Sequence, residues 1–261
     1  MTAKPPLLLL HGVAMSAAAW ADVVPLLIDH YDVIAPTAAG HHGGPPLTGK
    51  ANIGAFTDQI EGVLDTRGLD RAHIAGNSLG GWIAIELARR NRALSVCAFS
   101  PAGFWTAGSS DETRATRRIR RMLSLAQVAR PVAPAALQAG FVRRLAMRDI
   151  AEHGERLTAA QAVAAARDAV NCSATIDLLG PSERVEPLDP LPCPITLAWS
   201  ARDRIFPPAI NGVIAQDRLP QATYVLLPNV GHVPMIDDPG LCARLIRTST
   251  QRAGPESSSA E

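Results

Sequence analysis

The pattern Gly76-x-Ser78-x-Gly80 constrains the fold more than any other feature of this 261-residue chain. An apolar run at residues 72–75 precedes it, as expected of a buried strand, and apolar residues at helical spacing follow it. A serine at a sharp turn from strand to helix needs neighbours without a Cβ two residues away on each side, and the two glycines supply that room. The context therefore predicts a serine hydroxyl at a helix N-terminus, where free N–H groups favour a developing negative charge.

Short apolar runs alternate with helical patterns along the chain. This alternation predicts an α/β fold with a mostly or wholly parallel sheet of about six strands, covered on both faces. The predicted strands are residues 6–10, 31–35, 72–75, 94–100, 193–200 and 223–227. The predicted helices outside the stretch 104–184, besides the one after Ser78, are residues 16–28, 52–67 with Asn52 as N-cap, 207–218 and 240–248.

The domain organisation follows from the stretch that breaks this alternation. Residues 104–184 contain no convincing strand and are predicted to be a helical cap inserted into a core made of residues 1–103 and 185–250. Residues 251–261 are rich in Gly, Pro and Ser and are predicted to be a disordered tail. The length and the 47% hydrophobic content are consistent with one domain.

The predicted cap has its own helix signals. Ser109 with Glu112, and Thr158 with Gln161, have the pattern of capping boxes. Two apolar stripes are predicted there, one of Ile119, Met122, Leu123 and Ala126 and one of Leu137, Phe141 and Leu145. The cap also has 12 arginines against 8 acidic residues. Its densest arginines are at positions 114, 117, 118, 120 and 121, where a solvated helix face is the default interpretation and an anion site is the alternative.

The bulk composition excludes several classes of function. A net charge of +1 and 4% aromatic residues give no general reason to expect nucleic-acid binding. No apolar run approaches the ~18 residues that span a membrane. Four scattered cysteines without a C-x-x-C pair predict buried thiols rather than a zinc site or a disulfide framework. The leucine run after Lys4 is interrupted by His11-Gly12, so we expect a cytoplasmic protein rather than a secreted one.

Two more polar residues follow predicted strands. Asp203 lies just beyond the strand 193–200, and His232 lies just beyond the strand 223–227. Loops at the carboxyl ends of parallel strands converge on one edge of the sheet, so both side chains are expected near Ser78. A neutral imidazole accepts a proton near pH 7, and a carboxylate fixes its tautomer. The sequence predicts Ser78 as nucleophile, His232 as base and Asp203 as orienting acid, against the plainer alternatives of a turn serine, a structural histidine and a helix cap.

The combined segments resemble the α/β-hydrolase superfamily, in its serine-nucleophile branch with a helical cap, over about residues 5–248. The matching pieces are His11-Gly12, Gly40-His41-His42-Gly43, the pattern around Ser78, residues 203–207 and Gly231-His232. The resemblance implies a Ser-His-Asp triad and an oxyanion hole formed by the backbone N–H groups of Val13 and Leu79. His11 is expected to hold the oxyanion loop, and His41 and His42 are expected to be structural or solvated. No metal or organic cofactor is expected.

The chain also departs from that superfamily. About five residues precede the first predicted strand, so the usual N-terminal antiparallel hairpin is expected to be missing. Strand 31–35 then becomes an exposed edge at which a dimer can form, and the chain is expected to be a monomer or a homodimer. The loop His41-His42-Gly43-Gly44 differs from the usual His between glycines. Ser78 excludes the haloalkane dehalogenase and epoxide hydrolase branches, which have an aspartate at the elbow.

The leading hypothesis is a carboxylesterase of class EC 3.1.1 that cleaves a small ester through an acyl-enzyme. Met235, Phe206 and Trp105 are candidates for its substrate pocket, whereas Trp82 is expected in the core. A carbon–carbon bond hydrolase using the same triad is the enzymatic alternative. The other alternative is a ligand-sensing protein on a hydrolase scaffold, similar to the plant hormone receptors of this superfamily.

Overall fold

The computed structural model of the chain describes residues 4–106, 108–180 and 183–254, with the side chains of residues 111 and 112 left out. Six strands form one sheet in the order β2-β1-β3-β4-β5-β6, and every neighbouring pair is parallel. The strands are β1 (Pro6–Leu10), β2 (Asp32–Ile34), β3 (Ala72–Asn77), β4 (Ala93–Phe99), β5 (Ile195–Ser200) and β6 (Thr223–Leu227). The predicted six-stranded parallel sheet is confirmed, with strand ends that differ by a few residues at most.

The burial of the strands explains their composition. The residues Leu7 to Leu10 of β1 are buried on both faces, and so are all residues of β3 and β5. Strands covered on both faces have near-continuous apolar sequences, which is the pattern seen in β1. β2 lies at one edge of the sheet and is three residues long, with Asp32 exposed. Such a short edge offers few backbone groups for pairing, and the dimer through this edge stays a prediction.

Helices flank the sheet as the sequence pattern predicts. The helices outside the stretch between β4 and β5 are α1 (Ile53–Thr66), α2 (Leu79–Arg89), α8 (Val213–Arg218), α9 (Pro234–Asp237) and α10 (Pro239–Gln251). The helices numbered α3 to α7 lie between β4 and β5 and are described below. Asn52 caps α1 by accepting a hydrogen bond from the Ala55 N–H at 2.9 Å, as predicted. α10 continues to Gln251, so the predicted start of the tail is wrong; residues 255–261 of that tail lie outside the described residues.

The predicted helix at residues 16–28 is wrong. Two short 3₁₀ turns, Ala17–Trp20 and Val24–Leu26, occupy this stretch. Pro25 has no N–H to donate and is tolerated only in a first turn, so it separates the second turn from the first. Trp20 and Leu27 are nevertheless fully buried, whereas Ile28 is 47% exposed. The predicted helix at 207–218 likewise begins with a wide turn, Pro208–Gly212, before α8.

Between β4 and β5 the described residues form helices joined by irregular segments, and no strand is found among them. This stretch contains α3 (Ser110–Ala129), α4 (Ala133–Ala136), α5 (Gly140–Met147), a 3₁₀ turn (Gly154–Arg156), α6 (Ala159–Val170) and α7 (Thr175–Leu178). Thr158 and Gln161 form the predicted capping box at the start of α6. The other predicted capping box, Ser109 with Glu112, involves the Glu112 side chain, which lies outside the described part of the chain. None of the described helices is both long and apolar enough to cross a membrane.

One predicted apolar stripe in this region is wrong. Leu137 is buried, but the side chains of Phe141 and Leu145 are 77% and 59% exposed. Helix α5 instead turns Val142 and Met147 into a small cluster with α6. The contact with α6 decides which face of α5 is buried, and the spacing of apolar residues along the sequence does not reveal that contact. The division of the chain into a core and a cap stays a prediction.

The four cysteines are free thiols in the described structure. Cys97, Cys172 and Cys242 are buried, and Cys193 is partly buried. Burial disfavours the thiolate and raises the pKa of Cys97 to about 12. These residues act as small apolar side chains, in agreement with the sequence prediction.

Candidate active site

Ser78 lies at a strained corner between β3 and α2. Its backbone angles are φ 54° and ψ −114°, a region that residues with a Cβ rarely adopt. A Cβ at Gly76 would lie 2.2 Å from the Gly80 carbonyl oxygen, and one at Gly80 would lie 2.2 Å from the Leu10 oxygen. Glycine is therefore required at both positions, for the reason inferred from the sequence. Ser78 itself is 4% exposed and does not cap α2 with its side chain.

Asp203 and His232 are joined by a short hydrogen bond. The His232 Nδ1 and the Asp203 Oδ2 are 2.7 Å apart, and each residue is 5% exposed. Because an ionised carboxylate only accepts, Nδ1 is the donor and Nε2 of the neutral ring has a free lone pair. The other oxygen, Oδ1, accepts the N–H groups of Ile205 and Phe206 at 2.8 Å each. Asp203 therefore also shapes the turn that follows it, although it does not cap the next helical turn, whose N-cap is Pro207.

Ser78 and His232 are connected through neighbouring residues. Asn77 donates from Nδ2 to the backbone oxygen of His232 at 2.9 Å. The ring of Phe206 lies 5.1 Å from the His232 ring and lines the same cavity as Ser78. No hydrogen bond joins Ser78 Oγ to His232 within the described residues. Such contacts are often long in unliganded enzymes and shorten when substrate binds.

The predicted oxyanion residues, Val13 and Leu79, both line the cavity beside Ser78. Leu79 is the first residue of α2, where backbone N–H groups have no partner within the helix. A Cβ built on Gly12 would lie 3.4 Å from the Ser78 Cβ, so the loop that carries Val13 passes close to the serine. These positions fit N–H donors for an anionic oxygen formed at Ser78.

His11 holds that loop. Its Nε2 accepts the Ala38 N–H at 3.0 Å, which makes Nδ1 the donor to the Gly12 carbonyl at 2.8 Å. Burial, with a smaller contribution from His41, lowers the pKa of His11 to about 3. The ring is therefore neutral at pH 7, and its role is structural, as the resemblance implied.

His41 and His42 have different surroundings. His41 is buried, with Nδ1 against the Ala39 carbonyl at 3.1 Å, and burial lowers its pKa. His42 is partly exposed and bonds Asp168 of α6 at 2.8 Å. Asp168 is 6% exposed and also accepts from the Ser16 hydroxyl at 2.6 Å. Asp168 thus joins the helical region to two loops of the core, a role that no local sequence signal indicates.

A cavity of about 70 Å³ lies beside Ser78. Phe206 and Trp105, two predicted pocket residues, line it, and so does Trp82, which was expected in the core. The prediction for Met235 is wrong, because Met235 does not line this cavity and is buried with Leu7 in the core on another part of the sheet. The cavity has room for more than one water-sized group, since a single water needs roughly 10–15 Å³ on this scale.

The charged residues at this cavity are acidic. Asp177 and Glu183 line it, whereas the five clustered arginines of α3 do not. Arg114, Arg117 and Arg121 are exposed, as the solvated-face interpretation predicts. Arg118 is partly buried and donates to the Arg204 carbonyl, and the exposed Arg120 donates to the Leu179 carbonyl, so these two make contacts that the solvated-face interpretation does not include.

Asp237 is a further residue that sequence reasoning missed. Its side chain is fully buried and accepts the N–H of Gly231 at 2.7 Å on Oδ2. The same carboxylate accepts the N–H groups of Glu152 and His153 at 3.1 and 2.7 Å. The loop that carries His232 is therefore fastened to the helical region between β4 and β5.

Comparisons with known proteins give a consistent family. The model of the Alpha/beta hydrolase family matches residues 7–245. Epoxide hydrolase EphH of Mycobacterium tuberculosis is 32% identical over 204 residues, which cover 77% of this chain and 95% of that protein. A pimeloyl-(acyl-carrier protein) methyl ester esterase of Aromatoleum aromaticum is 30% identical over 262 residues, covering 93% of this chain and 97% of the esterase.

A solved structure with the same fold is 2-hydroxy-6-oxo-6-phenylhexa-2,4-dienoate hydrolase from Rhodococcus sp. strain RHA1. It superposes with a TM-score of 0.68 at 19% identity and covers 95% of this chain and 91% of that chain. This likeness shows the shared fold, whereas the Mycobacterium and Aromatoleum relatives are named for two different hydrolyses. The similarities therefore support hydrolysis without fixing the bond that is cleaved.

Proposed function

The chain belongs to the alpha/beta hydrolase family and is a hydrolase, and we propose that it cleaves a small carboxylic ester with Ser78, His232 and Asp203 as catalytic residues. The observation that carries this proposal is the buried 2.7 Å bond between His232 and Asp203 at the edge of the sheet where Ser78 occupies a strained elbow. A histidine with only a structural role needs no nearby strained serine, and a serine that only forms a turn needs no buried histidine–carboxylate pair.

The proposed mechanism uses these groups in two half-reactions. His232 Nε2 takes the proton of Ser78 Oγ as the oxygen attacks the ester carbonyl, and the Val13 and Leu79 N–H groups stabilise the resulting oxyanion. Asp203 stabilises the imidazolium that forms. The intermediate then expels the alcohol, which receives the proton from His232, and leaves an acyl-enzyme on Ser78. A water molecule, deprotonated by His232, hydrolyses this ester and restores the free serine.

The other reactions within the family use different starting materials. A carbon–carbon bond hydrolase with the same three residues is the alternative, and the Rhodococcus structure carries the name of such an enzyme acting on a dienoate. The mycobacterial relative is named an epoxide hydrolase. Ser78 differs from the aspartate expected at the elbow of that branch, so the exclusion of epoxide hydrolysis stays a prediction. A ligand sensor is expected to bind without steady turnover.

The first test is covalent labelling with a fluorophosphonate probe, which reacts with an activated serine. We expect the wild-type chain to be labelled and Ser78→Ala to be unlabelled. Ser200→Ala is the matched control, because Ser200 is also a buried serine at the end of a strand. Labelling of Ser78→Ala at the wild-type rate would overturn the proposal.

The second test compares substrates. We expect steady turnover of p-nitrophenyl acetate and butyrate, and kcat/KM values at least tenfold lower for a dienoate carbon–carbon substrate and for styrene oxide. Faster hydrolysis of the dienoate would establish the alternative. Hydrolysis of styrene oxide that survives Ser78→Ala would assign the chain to epoxide chemistry. A single slow turnover with a large shift in thermal stability would indicate a sensor.

A further inference from the structure

We propose that the cavity beside Ser78 selects its ester by charge, taking substrates with an ammonium group in preference to neutral ones and disfavouring those with a second carboxylate. This inference rests on the proposed esterase function and adds a substrate class to it. Its basis is the set of charged and aromatic side chains that line the cavity and have no role in the proposed catalytic steps.

The charged side chains that line the cavity are both carboxylates, Asp177 in α7 and Glu183 just after it. Asp177 is partly buried and Glu183 is exposed, whereas Ser78 is 4% exposed. Both carboxylates are therefore more accessible to solvent than the serine. No lysine, arginine or histidine belongs to the lining formed by the described residues. A site lined by one sign of charge with apolar walls concentrates ligands of the opposite charge.

Backbone contacts hold both carboxylates in place. Asp177 accepts the Ala51 N–H on Oδ2 at 2.9 Å, and Glu183 accepts the Ile53 N–H on Oε2 at 3.1 Å. The second oxygen of each carboxylate has no protein donor among the described residues. Each side chain is thus fixed by one oxygen and keeps the other for a ligand. Because both side chains also bond the backbone, the experiment must distinguish a structural role of these carboxylates from a role in substrate selection.

Aromatic rings form the inner wall of the cavity. The rings of Trp82 and Trp105 are 5.6 Å apart, and those of Trp105 and Phe206 are 5.8 Å apart. Aromatic faces attract ammonium groups through their quadrupoles. The indole nitrogens of Trp82 and Trp105 are buried without a partner in the described structure, and Trp82 is 5% exposed.

The nearest arginines do not reverse this charge pattern. Arg120 donates to the backbone oxygen of Leu179, and Arg118 donates to that of Arg204. Neither guanidinium lines the cavity. A substrate carboxylate would share a cavity of about 70 Å³ with Asp177 and Glu183. An ammonium group meets the carboxylates and the aromatic faces without this repulsion.

The test uses phenyl esters matched in length, with an acyl chain that ends in trimethylammonium, tert-butyl or carboxylate, and a second series with these groups on the alcohol. In at least one series we expect kcat/KM to be about tenfold higher for the cation than for the neutral ester, and lowest for the anion. Added salt should reduce the difference, because exposed charges are screened over ~10 Å at 0.1 M.

Two isosteric variants separate charge from structure. Asp177→Asn and Glu183→Gln keep an oxygen for the backbone N–H groups and remove the negative charge. We expect each to lower the cation-to-anion ratio of kcat/KM several-fold, and the ratio is measured relative to the neutral ester so that a general loss of activity does not affect it. Glu186→Gln is the matched control, because Glu186 is an exposed carboxylate paired with Arg184 outside the cavity. It should leave the ratio unchanged.

The outcomes distinguish this inference from the proposed function. If Ser78 reacts with the fluorophosphonate probe and the neutral ester is hydrolysed, but the wild-type ratio is near one or is unaffected by both Asp177→Asn and Glu183→Gln, charge selection is wrong and the esterase proposal stands. A preference for the anionic ester would also overturn it. If a variant does not fold, the salt dependence of the wild-type ratio still decides. An unlabelled Ser78 would contradict the proposed function itself.

Discussion

The side chain of Asn77 holds the backbone of His232: its Nδ2 donates to the His232 carbonyl at 2.9 Å and to the Phe99 carbonyl at 3.1 Å. Asn77 is fully buried and directly precedes Ser78 in the chain. The residue before the nucleophile therefore fixes the position of the proposed base. This contact makes Asn77 a positioning residue rather than a catalytic one, because it acts through His232.

We expect Asn77→Ala to lower kcat on a neutral ester by about 10-fold to 100-fold, since misplacing a catalytic group by about 1 Å costs on this order. KM should change little, because Asn77 does not line the cavity. The rate of fluorophosphonate labelling should fall with kcat, and both are measured on the same preparation.

The matched control for Asn77 is Ser95→Ala. Ser95 of β4 is buried and bonds His73 of β3 at 2.8 Å, so it joins the same two strands away from Ser78. Its loss should lower stability by about 1 kcal/mol and leave the labelling rate unchanged. An equal fall in labelling for both variants would show that Asn77 acts only through general stability.

Asp203→Asn is expected to lower kcat by roughly 10³ to 10⁴, because the amide no longer holds His232 in the tautomer that accepts the serine proton. Asp177→Asn is the control, because Asp177 contacts the Ala51 N–H and not His232. It should leave kcat on a neutral ester within about threefold. A kcat for Asp203→Asn within threefold of the wild type would require another acid to be found.

Stability should fall in acid because of His11. The unfolded chain binds a proton at this residue near pH 6.5, whereas the folded chain binds it only at about pH 3. The unfolded state thus holds more protons between these values, so the free energy of unfolding decreases as pH is lowered through this window, by up to about 1.4 kcal/mol per pH unit. Burial also lowers the pKa of His41, which adds a change of the same sign.

Urea denaturation at several pH values between about 6 and 4 measures this slope. His11→Gln should flatten it, since the titrating group is removed. His30→Gln is the control, because His30 is exposed, and the slope should remain as in the wild type. A wild-type slope in the His11 variant would mean that other groups cause the acid sensitivity.

Asp168 provides a test of the contact between α6 and the core. Asp168→Asn places an amide where Ser16 and His42 both need an acceptor, so the free energy of unfolding should fall by about 2–4 kcal/mol. Asp22→Asn is the control, because Asp22 accepts from Gln161 of α6 at an exposed site. That change should stay within about 0.5 kcal/mol. Equal effects of the two variants would contradict a special role for the buried contact.

The three residues proposed as catalytic share a local signal in the sequence. Ser78, Asp203 and His232 each follow a buried strand, and parallel strands bring their carboxyl ends to one edge whatever the loops contain. Asn77 lacks such a signal, because its partner His232 is 155 residues away. Asp237 bonds Gly231 nearby, but its partner His153 belongs to the helical region. Contacts of this kind depend on how two loops meet, which spacing along the chain does not contain.

Wrong predictions arose where tertiary packing decided the direction of a side chain. Met235 is three residues from His232, yet α9 turns it toward Leu7 in the core and away from the cavity. Trp82 fits both descriptions, since it is buried and lines the cavity. A position close in sequence to a proposed catalytic residue therefore indicates the right region of the fold. The orientation of the helix or loop that carries the side chain decides whether it faces the cavity or the core.

The arginines of α3 separate into two groups with different expected effects. Arg118 and Arg120 donate to carbonyls of the Asp203 loop and of the cavity wall, so Arg118→Met with Arg120→Met should lower stability by about 1–3 kcal/mol in total. The double variant should also raise KM for a neutral ester several-fold, since α3 is held less firmly beside the cavity.

Arg117 and Arg121 are exposed. The charge reversal Arg117→Glu with Arg121→Glu should leave both the free energy of unfolding and KM for a neutral ester within about twofold of the wild-type values, because exposed charges contribute little. The ratio of anionic to neutral ester turnover should also stay unchanged, since neither arginine lines the cavity. Thermal denaturation and kcat/KM on the matched esters test both pairs. A charge reversal that slows only anionic esters, with an unchanged melting temperature, would show that these arginines guide the substrate after all.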